Sequence, residues 1–257
     1  MASRDLPATI TDDRLRGPET EVIDRGDHRV IRTPGRPGYH NGNQLSLDAA
    51  PAAAALPAWF ARCRAALAAL PVERLRLSWE VAGDAAVGPA QTVYRVLTAA
   101  ACRPAAAVPG LRIARLAPDD DAGWAAVVGL HADDGADLGA GYAAFVRGHV
   151  AAYRRCATRE PAAASTWTAW LDDTLVAACM RHEAADWIRV EEVVTAAPWR
   201  RRGIAAALCA TAFTDAATRH PAATLLIVAE NDDATRLYQR LGFTVVGRQA
   251  SVEQAPG

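Results

Sequence analysis

Lysine is absent from this sequence, so all 28 basic residues are arginine. Arginine stays protonated at any relevant pH, so no side-chain amine is available as nucleophile or base. With so much alanine beside it, the arginine content looks like the coding bias of a GC-rich genome and carries little weight as a count. The 28 arginines face 29 Asp and Glu for a formal charge of -1. That leaves no overall basic field to draw in nucleic acid or anionic lipid, although a local patch stays open. Cysteine is sparse too. Cys63, Cys102, Cys156, Cys179 and Cys209 are scattered, odd in number and never in a C-x-x-C pair. This argues against a disulfide framework or a structural zinc site and fits a reducing compartment. Cys209 sits in an apolar helical stretch and reads as packing. No run of roughly 18 uncharged apolar residues occurs, and "MASRDLPATITDDRLRG" at the start has no apolar signal core. The expectation is a soluble, cytoplasmic protein with no membrane association.

What is present suits a folded α/β protein. The 257 residues are 51 % hydrophobic and 22 % charged, enough for one large domain or two small ones. Residues 1–18 are polar and broken by prolines, so they are expected to be a flexible N-terminus. "EVIDRGDHRVIRTP" reads as strand, turn and strand around Arg25-Gly26-Asp27, and the glycine-rich loop "GRPGYHNGNQ" leads into another strand. Pro57 opens an alanine-rich helix with Phe60, Leu67 and Leu70 on one face. Leu75, Leu77 and Trp79 alternate with the period of a strand, and "TVYRVLTA" is a second one. "RPAAAVPG" reads as a linker. The expected domains are 19–105 and 106–257.

After the linker the pattern restarts. "LRIARLA" is a strand, and two helices follow, the second carrying Phe145, Val146, His149 and Tyr153 at helical spacing. A hairpin turns at Asp172-Asp173, and "DWIRVEEVVTA" is a further strand. The helix after Gly203 has an apolar stripe of Ile204, Leu208, Ala212 and Ala216. "TLLIVAEN" is a continuous apolar run, as in a strand buried on both faces. A short helix follows, with Asp232 or Asp233 expected as its cap, and "FTVVGRQASV" is the last strand.

The stretch "TAAPWRRRGIA" joins a strand to a helix. The first amides of a helix have no intrahelical partner, so a helix start attracts phosphate oxygens. Gly203 has no side chain and Ala205 a minimal one, which leaves the backbone bare where a pyrophosphate would approach. On this segment alone, a phosphate cradle and a helix start with solvated arginines are equally good readings.

A second segment separates them. Arg200, Gly203 and Ala205 form R-x-x-G-x-A, and about 25 residues further on "NDDATRLYQRLGF" fits N-x-x-A-x-x-L-Y-x-x-x-G-F. In this order the two resemble the acyl-CoA-binding motifs of the GNAT superfamily of N-acyltransferases. The resemblance implies the GNAT fold, a mixed and mostly antiparallel sheet flanked by helices. It implies acetyl-CoA or another acyl-CoA as cofactor. The main chain of Val193, Val194 and Thr195 would pair with the pantetheine arm, the Val193 N–H pointing at the thioester carbonyl. The loop Arg200, Arg201, Arg202, Gly203, Ile204 and Ala205 would hold the pyrophosphate. Glu191 or Glu192 would accept the proton of the attacking amine, directly or through water. Adjacent strand residues face opposite sides, so only one of the pair is expected to reach the substrate. Glu191 shares its parity with Val193 and Thr195, unless a bulge inverts it. Tyr238 falls where the family places a general acid near the sulfur. Asn231 either binds the cofactor or caps its helix. His131, His149, His182 and His220 show no metal-ligand spacing and read as surface or packing residues, with His182 the least bland.

The first hundred residues lack both motifs. They are similar to the degenerate N-terminal half of tandem GNAT-like proteins, a truncated repeat whose implied role is structural. Its loop Gly35 to Asn43 either supplies acceptor contacts or is only a turn. The activity implied for the whole is transfer of an acetyl or other short acyl group from CoA to a primary amine of a small molecule. Two alternatives stand beside it: a non-catalytic CoA-binding regulatory protein, and a transferase of this fold that takes its acyl group from aminoacyl-tRNA.

Overall fold

A computed structural model describes residues 2–138 and 140–256. Its chain divides into two compact units. The first comprises 1–97 with 228–235 and 245–257, and the second comprises 98–227 with 236–244. The division is not a single linear cut, because the C-terminal strand pairs with an N-terminal one.

In the first unit the strands are β1 (Glu21–Asp24), β2 (His28–Arg32), β3 (Gln44–Leu47), β4 (Leu75–Ala82), β5 (Thr92–Ala99) and β11 (Thr244–Gln254). They are ordered β1-β2-β3-β4-β11-β5. The β1/β2 and β2/β3 pairs are antiparallel, β3/β4 is parallel, and β11 runs antiparallel to β4 from Gly247 opposite Ala82 to Gln254 opposite Leu75. Helix α2 (Leu56–Leu67) buries Phe60, Cys63 and Leu67 against the inward Leu75, Leu77 and Trp79 of β4. The alternation read from β4 is therefore the core face. The loop before β3 is held by Asn43, which is buried. Its side-chain oxygen accepts from the Thr33 amide at 2.8 Å, and its nitrogen donates to the Arg36 and Tyr39 carbonyls at 2.8 and 3.0 Å.

Residues 3–15, expected to be flexible, are instead a short 3-10 turn and helix α1 (Pro7–Leu15). The reason lies in β4. The buried Glu80 carboxylate accepts from the Ala8 amide at 3.2 Å, the Thr9 amide at 2.7 Å and the Thr9 hydroxyl at 2.8 Å. It therefore caps the start of α1 with a negative charge where a helix presents unpaired amides. Burial pushes the Glu80 carboxyl above its ordinary value, and the bonds from Thr9 and Ala8 pull it back.

In the second unit the order is β10-β9-β8-β7-β6. These are β6 (Leu111–Arg115), β7 (Ala164–Leu171), β8 (Thr174–Glu183), β9 (Trp187–Thr195) and β10 (Thr224–Ala229). All pairs are antiparallel except β9 with β10. The β7/β8 hairpin turns where Asp172 takes φ +51°. Helices α3 (Asp121–Asp134) and α4 (Ala140–Arg159) cover one sheet face. Trp124, Val127, Val146 and Val150 pack there on Ala178, Met180 and Val194. Helix α5 (Ile204–Arg219) lies on the other face and buries the predicted stripe of Ile204, Leu208, Ala212 and Ala216. On that face Arg181 is fully buried. Its two terminal nitrogens donate, one to the Ala212 carbonyl at 2.8 Å and Asp215 at 2.7 Å and the other to Glu183 at 2.9 Å. A lone buried guanidinium would be prohibitive, so these carboxylates are a condition of its placement.

Replacing Glu80 by Ala leaves two amides and a hydroxyl buried without an acceptor. The expected cost is about 2 kcal/mol, read as a lower urea midpoint. Faster amide exchange at Ala8 and Thr9 than in wild type would locate the damage at α1.

Candidate active site

The site is built on β9. Its antiparallel ladder with β8 pairs Met180 with Glu191 and Ala178 with Val194. Two residues of β9, Glu192 and Val193, thus oppose the single Cys179 of β8, which makes a β-bulge. Glu192 takes φ +51° to make it, a conformation that disfavours any side chain. The ladder with β10 ends where Val190 meets Ile227, so β9 runs on past it through Thr195.

The bulge corrects the expectation that Glu191 and Glu192 face opposite sides. Glu191, opposite Met180, faces α4, where its Oε1 accepts from the Tyr153 hydroxyl at 2.7 Å. At the bulge the positive φ turns Glu192 toward α4 as well, and its Oε1 lies 3.2 Å from His149 Nε2. Parity is inverted beyond it: Val194, rather than Val193 or Thr195, joins Met180 in the core beneath α3 and α4.

The two carboxylates have different surroundings. Glu191 is 16 % exposed and engaged at both oxygens, by Tyr153 and His182 (3.4 Å) at Oε1 and by Arg189 (3.2 Å) at Oε2. Glu192 is 38 % exposed, with His149 at Oε1. Desolvation pushes the Glu192 carboxyl up. The hydrogen bond from His149, with the charges of His149, His131 and Arg189, outweighs it and holds the group below its ordinary value. His182 and His131 are buried, and burial lowers the proton affinity of both. Neither His131 Nε2 nor His182 Nε2 makes a hydrogen bond. His149 and His182 thus each lie against a glutamate of β9. Their spacing to the glutamates crosses from helix and strand to strand, which no local motif reveals. Tyr153 and Arg189 are further site residues that the motifs do not mark. Among the described residues no group of His, Cys, Asp and Glu is placed to hold a metal.

The arginine loop follows. A 3-10 turn (Ala197–Trp199) leads to Arg200, whose Nε donates to the Thr195 carbonyl at 3.0 Å and whose guanidinium also meets Asp134 at the end of α3. Arg201 takes φ +66°. Arg202 lies over the Trp199 ring, 4.7 Å from its centroid. Gly203 sits at φ +82° as the N-cap of α5, with no side chain capping the helix. An added Cβ there would meet only Val108 at an ordinary 3.6 Å, so backbone conformation rather than space demands glycine. The first intrahelical bond runs from the Ala207 amide to the Gly203 carbonyl at 3.0 Å, so the Ile204 and Ala205 amides precede it.

Tyr238 is buried on α6 (Asp232–Arg240), which ends at Gly242. Asn231, rather than Asp232 or Asp233, caps that helix: its Oδ1 accepts from the Ala234 amide at 2.9 Å. The amide oxygen of Asn231 thereby fills the role that the sequence left between capping and cofactor binding.

Residues 133–243 match the model of the Acetyltransferase (GNAT) family. No curated protein matches the chain. Among solved structures, a functionally unknown conserved protein from Staphylococcus epidermidis ATCC 12228 superimposes with a TM-score of 0.70 at 12 % identity, over 92 % of this chain and 94 % of that one. A GCN5-related N-acetyltransferase from Kribbella flavida gives 0.63 at 18 % identity, over 97 % and 95 %. A tandem GNAT protein from the clavulanic acid biosynthesis pathway gives 0.59 at 13 % identity, over 95 % and 86 %. At these identities the likeness is one of fold.

Two substitutions weigh the arginines against the backbone. Removing the exposed stacking of Arg202 on Trp199 with Arg202→Ala should cost no more than about 0.5–1 kcal/mol. Forcing a Cβ into the left-handed conformation with Gly203→Ala should cost about 1–2 kcal/mol. Urea unfolding of both variants gives the order.

Proposed function

We propose, from the match of residues 133–243 to the GNAT family model, that the protein transfers an acetyl or other short acyl group from CoA to a primary amine of a small molecule. The observation that carries this reading is the sequence of a bulged, partly unladdered β9 running into a helix start with no side-chain cap. The residues present fit such a cofactor. Beyond Val190 the main chain of Val193, Val194 and Thr195 has no β10 ladder partner, which suits an extended arm bearing amides. The uncapped amides at Gly203, Ile204 and Ala205 suit a pyrophosphate. When bound, the acyl-CoA would supply an acyl group activated as a thioester.

The chain's own residues would do the rest. Arg200 ties the loop to Thr195 and holds the helix start in place beside the strand end. Arg201 and Arg202 add positive charge around a geometry set by backbone. The Val193 amide is offered to a carbonyl oxygen that gains negative charge during attack. A primary amine is mostly protonated at neutral pH and loses a proton on acylation, so a carboxylate on the bulge serves as acceptor. Tyr238 is proposed as the donor that returns a proton to the departing sulfur. No helix among the described residues is long and apolar enough to cross a membrane, which suits an acceptor met in solution. The N-terminal unit is proposed as a degenerate GNAT-like repeat with a structural role, since it carries neither motif.

Replacing Gly203 by Val is expected to weaken acetyl-CoA binding at least about tenfold, roughly 1.4 kcal/mol, while circular dichroism shows the fold retained. Thiol release with a panel of primary amines should fall with it. A wild-type protein that neither binds acetyl-CoA nor releases thiol with any amine refutes the reading. Binding with no turnover identifies a CoA-binding protein instead.

A further inference from the structure

The side of α4 that meets β9 carries Tyr142, Phe145, His149 and Tyr153, spaced three or four residues apart so that they line up along one helix face. Their rings touch in succession. Phe145 stacks on His149 at 5.2 Å and 19° between planes, and Tyr153 meets His149 edge-on at 5.0 Å and 85°. The row continues to His182 on β8, 5.4 Å from the Tyr153 ring. The His149 imidazole is thus held between two aromatic rings, which fixes its direction, and that direction is toward Glu192 Oε1 at 3.2 Å.

The neighbouring carboxylate is poorly suited to accept a proton. Glu191 is shared among Tyr153, His182 and Arg189, so both of its oxygens are already engaged. Glu192 is the more exposed of the two, and it stands on the strained residue of the bulge. Backbone strain at such a position is maintained only where surrounding contacts over-determine it. Among the described residues, the ion-pair contact on the Glu192 side chain comes from His149.

Resting on the acyltransferase reading above, we propose that His149 is a positioning residue for the transfer. It holds Glu192, rather than Glu191, as the group that takes the proton from the attacking amine. In that step the amine nitrogen bonds to the acyl carbon and the carbon–sulfur bond breaks, its electron pair leaving on sulfur. The N–H proton passes to a Glu192 oxygen, and one proton returns to the thiolate, so neutral amine and thioester become amide and thiol. Other charged or titratable groups share this surrounding: His131 and Asp134 on α3, Arg189 and Glu191 on β9, His182 on β8, and Tyr153 on α4 itself. His131 is buried and its Nε2 has no hydrogen bond, so it adds little orienting force.

The test uses His149→Phe, which keeps a ring between Phe145 and Tyr153 but loses donor and charge. His149→Gln keeps a donor but cannot titrate. Carbon-13 NMR of glutamate carboxyls in the protein alone should show the Glu192 titration moving up in the Phe variant, since burial then acts without the opposing bond. In turnover, the Phe variant should lose about tenfold or more in kcat with the KM for acetyl-CoA unchanged. The Gln variant should recover part of that kcat, since it restores a donor toward Glu192. Glu192→Gln should lose about 100-fold, and Glu191→Gln clearly less. The proposal is overturned if Glu192 titrates unchanged in the Phe variant, if the Gln variant recovers none of the lost kcat, or if Glu191→Gln is the more damaging change. Failure of the acyltransferase reading is seen separately, as a wild type without turnover.

Discussion

The extra residue in β9 is the constraint from which the site follows. A strand that alternates strictly sends neighbouring side chains to opposite faces. One residue with positive φ breaks that rule locally, and in doing so turns Glu191 and Glu192 to the same side. Beyond the bulge the strand resumes with its parity reversed, so Val194 enters the core under α3 and α4. The same segment lies past the last ladder pair with β10, so its main chain is left without that partner. Acidic side chains and unladdered backbone thus come from a single irregularity, within a few residues of each other.

Helix α4 completes the site from across the sheet face. Its two polar ring residues, His149 and Tyr153, stand one helical turn apart and each meets a different glutamate. The carboxylates would be near equivalents by sequence, yet the structure makes them unlike. One is enclosed by a phenol, an imidazole and a guanidinium, and the other is paired chiefly with a histidine in a partly open setting. Environments that drive two carboxylates apart are a common basis for dividing chemical roles between them. Here the division arises from side chains on α4, β8 and β9 rather than from the glutamates' own position in the motif.

Much of this fold was legible in the sequence because it rests on local periodicity. The alternation of Leu75, Leu77 and Trp79, the stripe from Ile204 to Ala216 and the turn at Asp172 are each patterns of a few consecutive residues. Each is found where expected. The R-x-x-G-x-A turn was legible for a similar reason, since Gly203 occupies a conformation that glycine alone adopts freely. The features that escaped notice depend on contacts distant in sequence. Helix α1 forms because Ala8 and Thr9 meet Glu80, 72 and 71 positions away. His149 reaches Glu192 from another element, and nothing near either residue signals it. The bulge could be raised only through the resemblance, because a glutamate, not a glycine, carries the positive φ and leaves no local mark. The cap of α6 falls on Asn231, one of the two roles open to it, rather than on the two aspartates that follow.

The starts of α1 and α5 pose the same electrostatic problem and solve it in opposite ways. At α1 the counter-charge is covalently part of the protein, since Glu80 reaches the open amides and stays there. At α5 the capping residue is a glycine, which has no side chain to do so. A counter-ion built into the chain is permanent: it cannot be exchanged, diluted or competed for, and its effect is independent of concentration. A helix start left to the surroundings responds to whatever anion is in solution and how much of it there is. The first arrangement is a fastening and the second is left open, and the difference between them is whether the counter-charge belongs to the protein or has to arrive from outside.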